Sequence, residues 1–512
     1  MAGRPSRKLR INRNPLGREL AVLALLFLIA LAGRAYAFTQ SVIDWDESLY
    51  ALVAREMLAG HLPYVTAWEC KPPVLFAIFA AGFKAFGTSV AAYRWLSVFA
   101  AVGTAYFLYR IGTRFAAGPQ TTGFVAAGFF LALSLADGGI AANAELFDVV
   151  FVSLGVWLLL RSPSSALVLA LAGISFGIAV GVKQTAAIPV AALCTVALMQ
   201  RRLDWRGLGI LSGGFALTTL ATLIPFVAGG GLGAYLDANL SANVRRLELP
   251  RPAMNLAGVA AVQLWELAPA IEIVLIAALA ALLGRRTRTV LEDRALVTLA
   301  AAWSGAALLT VAAIGDYSGH QFVEAMPGLA LLAAAALVRI SFEWPTPRRT
   351  LALAGCLIFA FAAHGAWFAV RGVAIARGRA FDPTYGDPVA SLAVEIHHRI
   401  GANRSLFVAS GEPVLYLLLA LPLPTRYPYP PHFSDSRLAA VAGNAGGREL
   451  RRVLALTPDY IVYDPSAPPL DGSLARLEQQ TLAHNYGRVA PGLYHRRDGE
   501  GAFVNRAATG RR

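Results

Sequence analysis

The feature that most constrains this chain is a succession of apolar blocks, each roughly fourteen to twenty-one residues long, with most of the arginines in the short segments between them. The first block runs over 20–38. Others follow at 90–110, 121–137, 147–160, 166–182, 184–200, 208–228, 263–283, 294–314, 321–339 and 350–370. Blocks of this length match the hydrocarbon thickness of a bilayer, and only a helix or a closed barrel can satisfy its own backbone there. The expectation is an all-α polytopic membrane domain of about 11 transmembrane helices. Composition agrees: 56% of the 512 residues are hydrophobic and 15% charged, against about 25% charged in a soluble domain. A soluble enzyme, a disordered protein and a single-span receptor are thereby excluded.

The net charge of +14 would ordinarily suggest nucleic acid as a partner, but its placement argues otherwise. Arg4, Arg7, Lys8, Arg10, Arg13 and Arg18 precede the first block with no acid among them. That block is longer than a signal-peptide core and lacks a convincing cleavage site, so it reads as a first span with a cytoplasmic N-terminus. Arg110, Arg114, Arg161, Arg201, Arg202, Arg206, Arg285, Arg286, Arg288, Arg348 and Arg349 then fall on the same side, as the positive-inside rule requires. The segment 72–87 is apolar but short and interrupted by Lys84. It is expected to lie at the outer surface, because a crossing there would put the later arginines on the wrong side. The resulting division is a basic cytoplasmic N-terminus at 1–19, a transmembrane domain at 20–371 with an outer first loop at 39–89, and a small extracytoplasmic α/β domain at 372–512 with a disordered end. In that last part, 387–400 has the pattern of an amphipathic helix, and Ser405–Ser410 and Asp459–Asp464 read as strands. Cys70, Cys194 and Cys356 suggest neither a disulfide framework nor a metal cluster.

The chemistry concentrates in the first outer loop. Asp44, Asp46 and Glu47 stand within four positions, ahead of a helix-like stretch from Ser48 to Leu58 that would lie along the membrane interface. Such a cluster can cap a helix N-terminus or hold one carboxylate as a base. The loop continues through Gly60, Pro63 and Tyr64 to Glu69-Cys70-Lys71-Pro72-Pro73.

The order D-E, Y-A-x-x-A-R-E-M, G-x-x-P-Y and K-P-P resembles the first loop of the GT-C membrane glycosyltransferases. It is most similar to lipid A aminoarabinose transferases and to galacturonosyl- and mannosyltransferase-like enzymes, and more distantly to protein O-mannosyltransferases. The resemblance implies an inverting transfer of a sugar from a polyprenyl-phosphate carrier to an envelope acceptor (lipid A or core, another glycan, or a protein) at the outer face of a bacterial cytoplasmic membrane. On that resemblance Asp46 matches the family's base and Glu47 its neighbour, while Lys71 matches a residue that meets the carrier's phosphate. Asn143 and Glu145 fall where the family places a second polar or acidic group, and Asn143 could equally cap a helix. Lys183 falls at a similar helix break and is a candidate for the donor's phosphate, since an unpartnered lysine there would be costly and a phosphate or acidic partner would offset the cost. His320, before Met326-Pro327-Gly328-Leu329-Ala330-Leu331-Leu332, would face the phosphate, although Gln321 replaces the tyrosine the family often has. Arg245 and Arg246, in the basic outer loop 229–254 with Arg251, are candidate acceptor or phosphate contacts. Asp148 is a weaker intramembrane candidate. No cofactor is expected. Asp44-Trp45-Asp46 spells D-x-D and two carboxylates could bind Mg²⁺ or Mn²⁺ weakly, but the K-P-P signature favours a metal-independent site. The expected partners are the lipid-linked sugar, the acceptor and membrane lipids, with no nucleic acid. The alternative is a transporter or flippase of a lipid-linked glycan, in which Lys183 and Asp148 would be the coupling charges.

Overall fold

The computed structural model describes residues 15–136, 138–248, 288–315, 317–341, 344–400, 405–444, 447–464 and 472–497, with a few positions between 257 and 268. The expected span at 263–283, Arg251, Arg285, Arg286, most of the basic N-terminus and the end of the tail lie outside the described residues.

The other ten apolar blocks are helical. They are α1 (Pro15–Arg34, extended by a 3-10 turn at Ala35–Thr39), α4 (Val90–Gly112), α5 (Pro119–Leu133), α6 (Ala144–Arg161), α7 (Ala166–Val182), α8 (Ala187–Met199), α9 (Trp205–Ala228), α12 (Arg288–Ile314), α13 (Met326–Ser341, preceded by a 3-10 stretch Gly319–Ala325) and α14 (Thr346–Gly378). Between them lie α2 (Trp45–Leu58), α3 (Pro73–Phe86), α10 (Leu232–Leu236) and α11 (Ala242–Glu248). Among the described residues, five helices are long and apolar enough to cross a bilayer, and a sixth span results if α3 and α4, bent by 115°, count as one. That is fewer than the expected number. The helices α5, α7 and α8 are apolar but short, and α6 carries Glu145, Asp148 and Arg161.

Local chemistry sets the helix ends. Ser89, Ser165 and Asp204 cap α4, α7 and α9 by accepting from the backbone N–H of Ala92, Val168 and Gly207. Pro73 and Pro119 sit in first turns, where no backbone donor is lost. Gly87 closes α3 at φ +82°, a conformation that suits glycine, and the chain turns back into α4. The helices α7 and α9 touch backbone to backbone: a Cβ on Gly173 would lie 1.9 Å from the Leu211 carbonyl oxygen, and one on Gly214 would lie 2.2 Å from that of Ala170. Small residues permit this approach where burial of apolar surface supplies no drive between helices.

The C-terminal part holds a helix at Pro388–Arg399 and a four-stranded sheet ordered β1-β2-β4-β3, from β1 (Leu406–Val408), β2 (Tyr460–Val462), β3 (Tyr486–Ala490) and β4 (Leu493–Arg496). β1 and β2 pair in parallel and the other pairs are antiparallel. Both three-residue strands are wholly buried, as expected of strands covered on both faces. This part docks onto the first loop. Arg55, in α2, donates to the carbonyls of Tyr416 and Leu421 at 2.8 and 2.9 Å, and the Trp68 backbone N–H donates to that of Arg426 at 2.6 Å.

Candidate active site

Asp44 starts the site. It precedes α2 in extended conformation, and its Oδ1 accepts from the Asp46 N–H at 3.1 Å. The helix therefore begins at Trp45, three residues earlier than the periodicity suggests. The other oxygen, Oδ2, accepts from the Asn143 amide at 2.9 Å and lies 3.2 Å from His320 Nδ1. Burial pushes the Asp44 carboxyl up, but the hydrogen bond and charge of His320, the Asn143 amide and the Asp46 backbone outweigh it, so the group stays below the usual carboxylate range.

Glu47 and Asp46 are neighbours with different surroundings. The Glu47 carboxylate is wholly buried and accepts from the backbone N–H of Ile43 and of Ala142, each at 2.9 Å. Arg94 Nη2 donates to Glu47 Oε1 at 2.6 Å, and Nη1 donates to Oε2. With two backbone donors and a guanidinium, this carboxylate ties α2 to α4 and to the 138–143 loop, and has no face left for a substrate. The Asp46 side chain is 30% exposed. Its Oδ2 accepts from the Tyr50 hydroxyl at 2.9 Å and lies 3.8 Å from Lys71 Nζ.

Lys71 is held from behind. Tyr64, itself at φ +73°, donates to the Lys71 carbonyl at 2.9 Å, and Pro72 and Pro73 restrict the backbone that follows. Burial would lower the Lys71 ammonium, but Asp46, Glu69 and Glu145 outweigh it and raise it above the ordinary lysine range. The buried Glu69 carboxyl is shifted upward by burial.

Beneath this pair lies a second charged layer. Lys183, at the break between α7 and α8, sits 2.6 Å from Glu145 Oε1 and 2.5 Å from Glu324 Oε1. His320 Nε2 is 3.8 Å from Glu145, and Thr185 donates to Glu324 at 2.9 Å. Asp148 is buried beside Glu324 and Lys183. The cost of an unpartnered lysine is thus met by carboxylates of the chain itself. Asn143 occupies the position before α6 without capping it; its amide turns to Asp44 instead. Arg245 donates to Asp237 at 2.8 Å and to the Val441 carbonyl at 2.9 Å, so it joins the C-terminal part to the segment that follows α10. The charge of Arg246 is felt at Cys70 in the first loop and at Tyr429 and His432 in the C-terminal part. Among the described residues no group of three or more His, Cys, Asp or Glu is disposed to hold a metal ion.

The sequence reading gave no role to Arg94, Glu69 or Glu324, and for Asp44 it weighed only a place in the acidic cluster and a weak D-x-D metal site. Three of these had signals. Asp44 and Glu47 have capping-box spacing, and an arginine or glutamate near the start of an apolar block, as at 94 and 324, needs a partner.

Residues 70–228 match the family model for dolichyl-phosphate-mannose-protein mannosyltransferase. No curated protein matches the chain by sequence. Among solved structures, the chain is similar to ArnT from Cupriavidus metallidurans bound to undecaprenyl phosphate, with a TM-score of 0.59 at 15% identity over 94% of this chain and 98% of that one. The same enzyme in the apo state gives a TM-score of 0.53 at 16% identity over 80% and 85%. The fold is that of the GT-C membrane glycosyltransferases. The family-model match begins at Cys70, beside Lys71, and runs through Asn143, Glu145 and Lys183 to the end of α9.

Proposed function

We propose that the chain is an inverting glycosyltransferase, which moves a sugar from a polyprenyl-phosphate carrier to an envelope acceptor at the outer face of a bacterial cytoplasmic membrane, with its C-terminal domain on that same side. The observation that carries the reading is the pair Asp46 and Lys71: a partly exposed carboxylate and a cation 3.8 Å apart, on one loop. The acceptor hydroxyl passes its proton to Asp46 as its oxygen attacks the anomeric carbon. The bond from that carbon to the carrier phosphate breaks, and its electron pair leaves on the phosphomonoester. Lys71 meets the charge that develops there, with Arg246, whose charge reaches Cys70, as a second cation. Asp44, Asn143 and His320 hold the start of α2. Glu145, Lys183 and Glu324 form the neutralised floor on which His320 rests, so Lys183 supports the site and Lys71 receives the phosphate.

The test is mass spectrometry of envelope lipids and glycans from cells with the protein, without it, and with Asp46→Asn. One glycosyl mass increment should vanish both without the protein and in the variant, while the variant reaches the membrane at wild-type level. Persistence of that increment in Asp46→Asn cells would remove Asp46 as the base. A flippase would instead tolerate Asp46→Asn.

A further inference from the structure

We propose that Glu412 is a positioning residue for Asp46, acting through the indole of Trp45, so that the C-terminal domain sets the geometry of sugar transfer. The inference rests on Asp46 as the base. Trp45 is the first residue of α2 and directly precedes Asp46. Its indole Nε1–H donates to Glu412 Oε1 at 2.6 Å, across 367 residues of sequence. The Tyr429 ring closes on the same indole edge-to-face, with centroids 5.3 Å apart. Two groups of the C-terminal part thus hold the residue next to the base.

Glu412 is not placed there for solvation. Its Oε2 is buried and has no hydrogen-bond partner among the described residues, and its carboxyl, buried beside Asp44 and Glu47, is pushed up to about 7. A buried, half-partnered carboxylate destabilises a fold, so stability alone does not account for it. The second reacting side chain is held in the same way. Trp68, three residues before Lys71, donates its backbone N–H to the Arg426 carbonyl, and its ring meets His432 edge-to-face at 4.8 Å. Each member of the Asp46–Lys71 pair therefore lies within three residues of a tryptophan gripped by the C-terminal domain. A shift of about 1 Å in a reacting group can cost about 100-fold in rate, and the Glu412 bond is the hydrogen bond by which the C-terminal domain reaches the Asp46 end.

The experiment follows glycan product by mass spectrometry in membrane vesicles that hold their native carrier-linked sugars. It compares wild type, Asp46→Asn, Glu412→Ala, Glu412→Gln, Trp45→Phe and the double variant Trp45→Phe/Glu412→Ala, with thermal unfolding of each. Glu412→Ala should lose about 10- to 100-fold in rate without a lower melting point, since the buried carboxylate itself costs stability. Glu412→Gln, which keeps an acceptor for the indole, should recover most of that loss. Trp45→Phe should match Glu412→Ala, and the double variant should be no slower than either single one, because both delete the same bond. Should Glu412→Ala fail to fold, Trp45→Phe carries the test alone. The inference is overturned if Trp45→Phe or a folded Glu412→Ala turns over at the wild-type rate while Asp46→Asn is dead, or if the two losses multiply. An active Asp46→Asn sinks the reading of the base itself, which is a separate outcome.

Discussion

Replacing Glu47 by alanine should unfold the protein before it touches the chemistry, whereas Asp46→Asn should do the reverse. Glu47 accepts from Ile43, Ala142 and both terminal nitrogens of Arg94, and neither member of the ion pair has any exposed side-chain surface. Removing one partner of a buried pair costs about 3–5 kcal/mol, because the other charge stays buried and unpaired. The two orphaned backbone donors add to that. Set against a typical total of about 5–15 kcal/mol, the loss is a large share of the fold's stability. Asp46 makes one hydrogen bond, to Tyr50, from a partly exposed position. Asp46→Asn should therefore cost about 1 kcal/mol. The assay is the fraction of detergent-purified protein that stays monodisperse after heating, taken beside product formation. A Glu47→Ala variant that melts with the wild type, or an Asp46→Asn variant that melts as early as Glu47→Ala, would refute this division between neighbours.

Other outcomes follow from the same geometry. Lys71→Ala should depress use of the lipid-linked donor more than use of the acceptor, measured by varying each in turn. Because the folded Glu412 carboxyl titrates at about 7 instead of 4.5, the native state loses stability as pH rises between those values. Glu412→Gln should match the wild type below pH 4.5 and exceed it by about 3 kcal/mol above pH 7 in denaturation curves. His432 is buried neutral among Trp68, Tyr427 and Tyr429, and burial with the Arg246 charge lowers it to about 3 from 6.5. It should draw stability down by about 1.4 kcal/mol per pH unit as pH falls through that window, and His432→Phe should flatten that slope.

The helices were legible because their apolar blocks are long and bounded by Ser, Asp, Pro and Gly in the right places. The helix at Pro388–Arg399 and the strands at Leu406–Val408 and Tyr460–Val462 were legible from periodicity. The motif order in the first loop singled out Asp46 and Lys71, which the fold brings to 3.8 Å of each other. What the sequence could not say was which acid does what. Asp46 and Glu47 are adjacent and alike in type; they differ only because Arg94 and the 138–143 loop reach one of them. Lys183 was correctly seen to need a counter-charge, but its partners Glu145 and Glu324 come from segments 38 and 141 residues away, a distance that no local pattern spans. Arg245 read as a candidate acceptor or phosphate contact, and its bond to the Val441 carbonyl could not be foreseen because that partner belongs to a different part of the chain.

The Lys183 ion pairs also bear on how the chain is made. Glu145 and Lys183 emerge early from the ribosome, while Glu324 follows 141 residues later. Until the segment 319–325 arrives, the lysine has only one of the two carboxylates that neutralise it in the finished protein. The contact that joins the α7–α8 break to the turn before α13 therefore forms last, and a chain arrested before residue 319 should be more sensitive to protease at that break than the full chain.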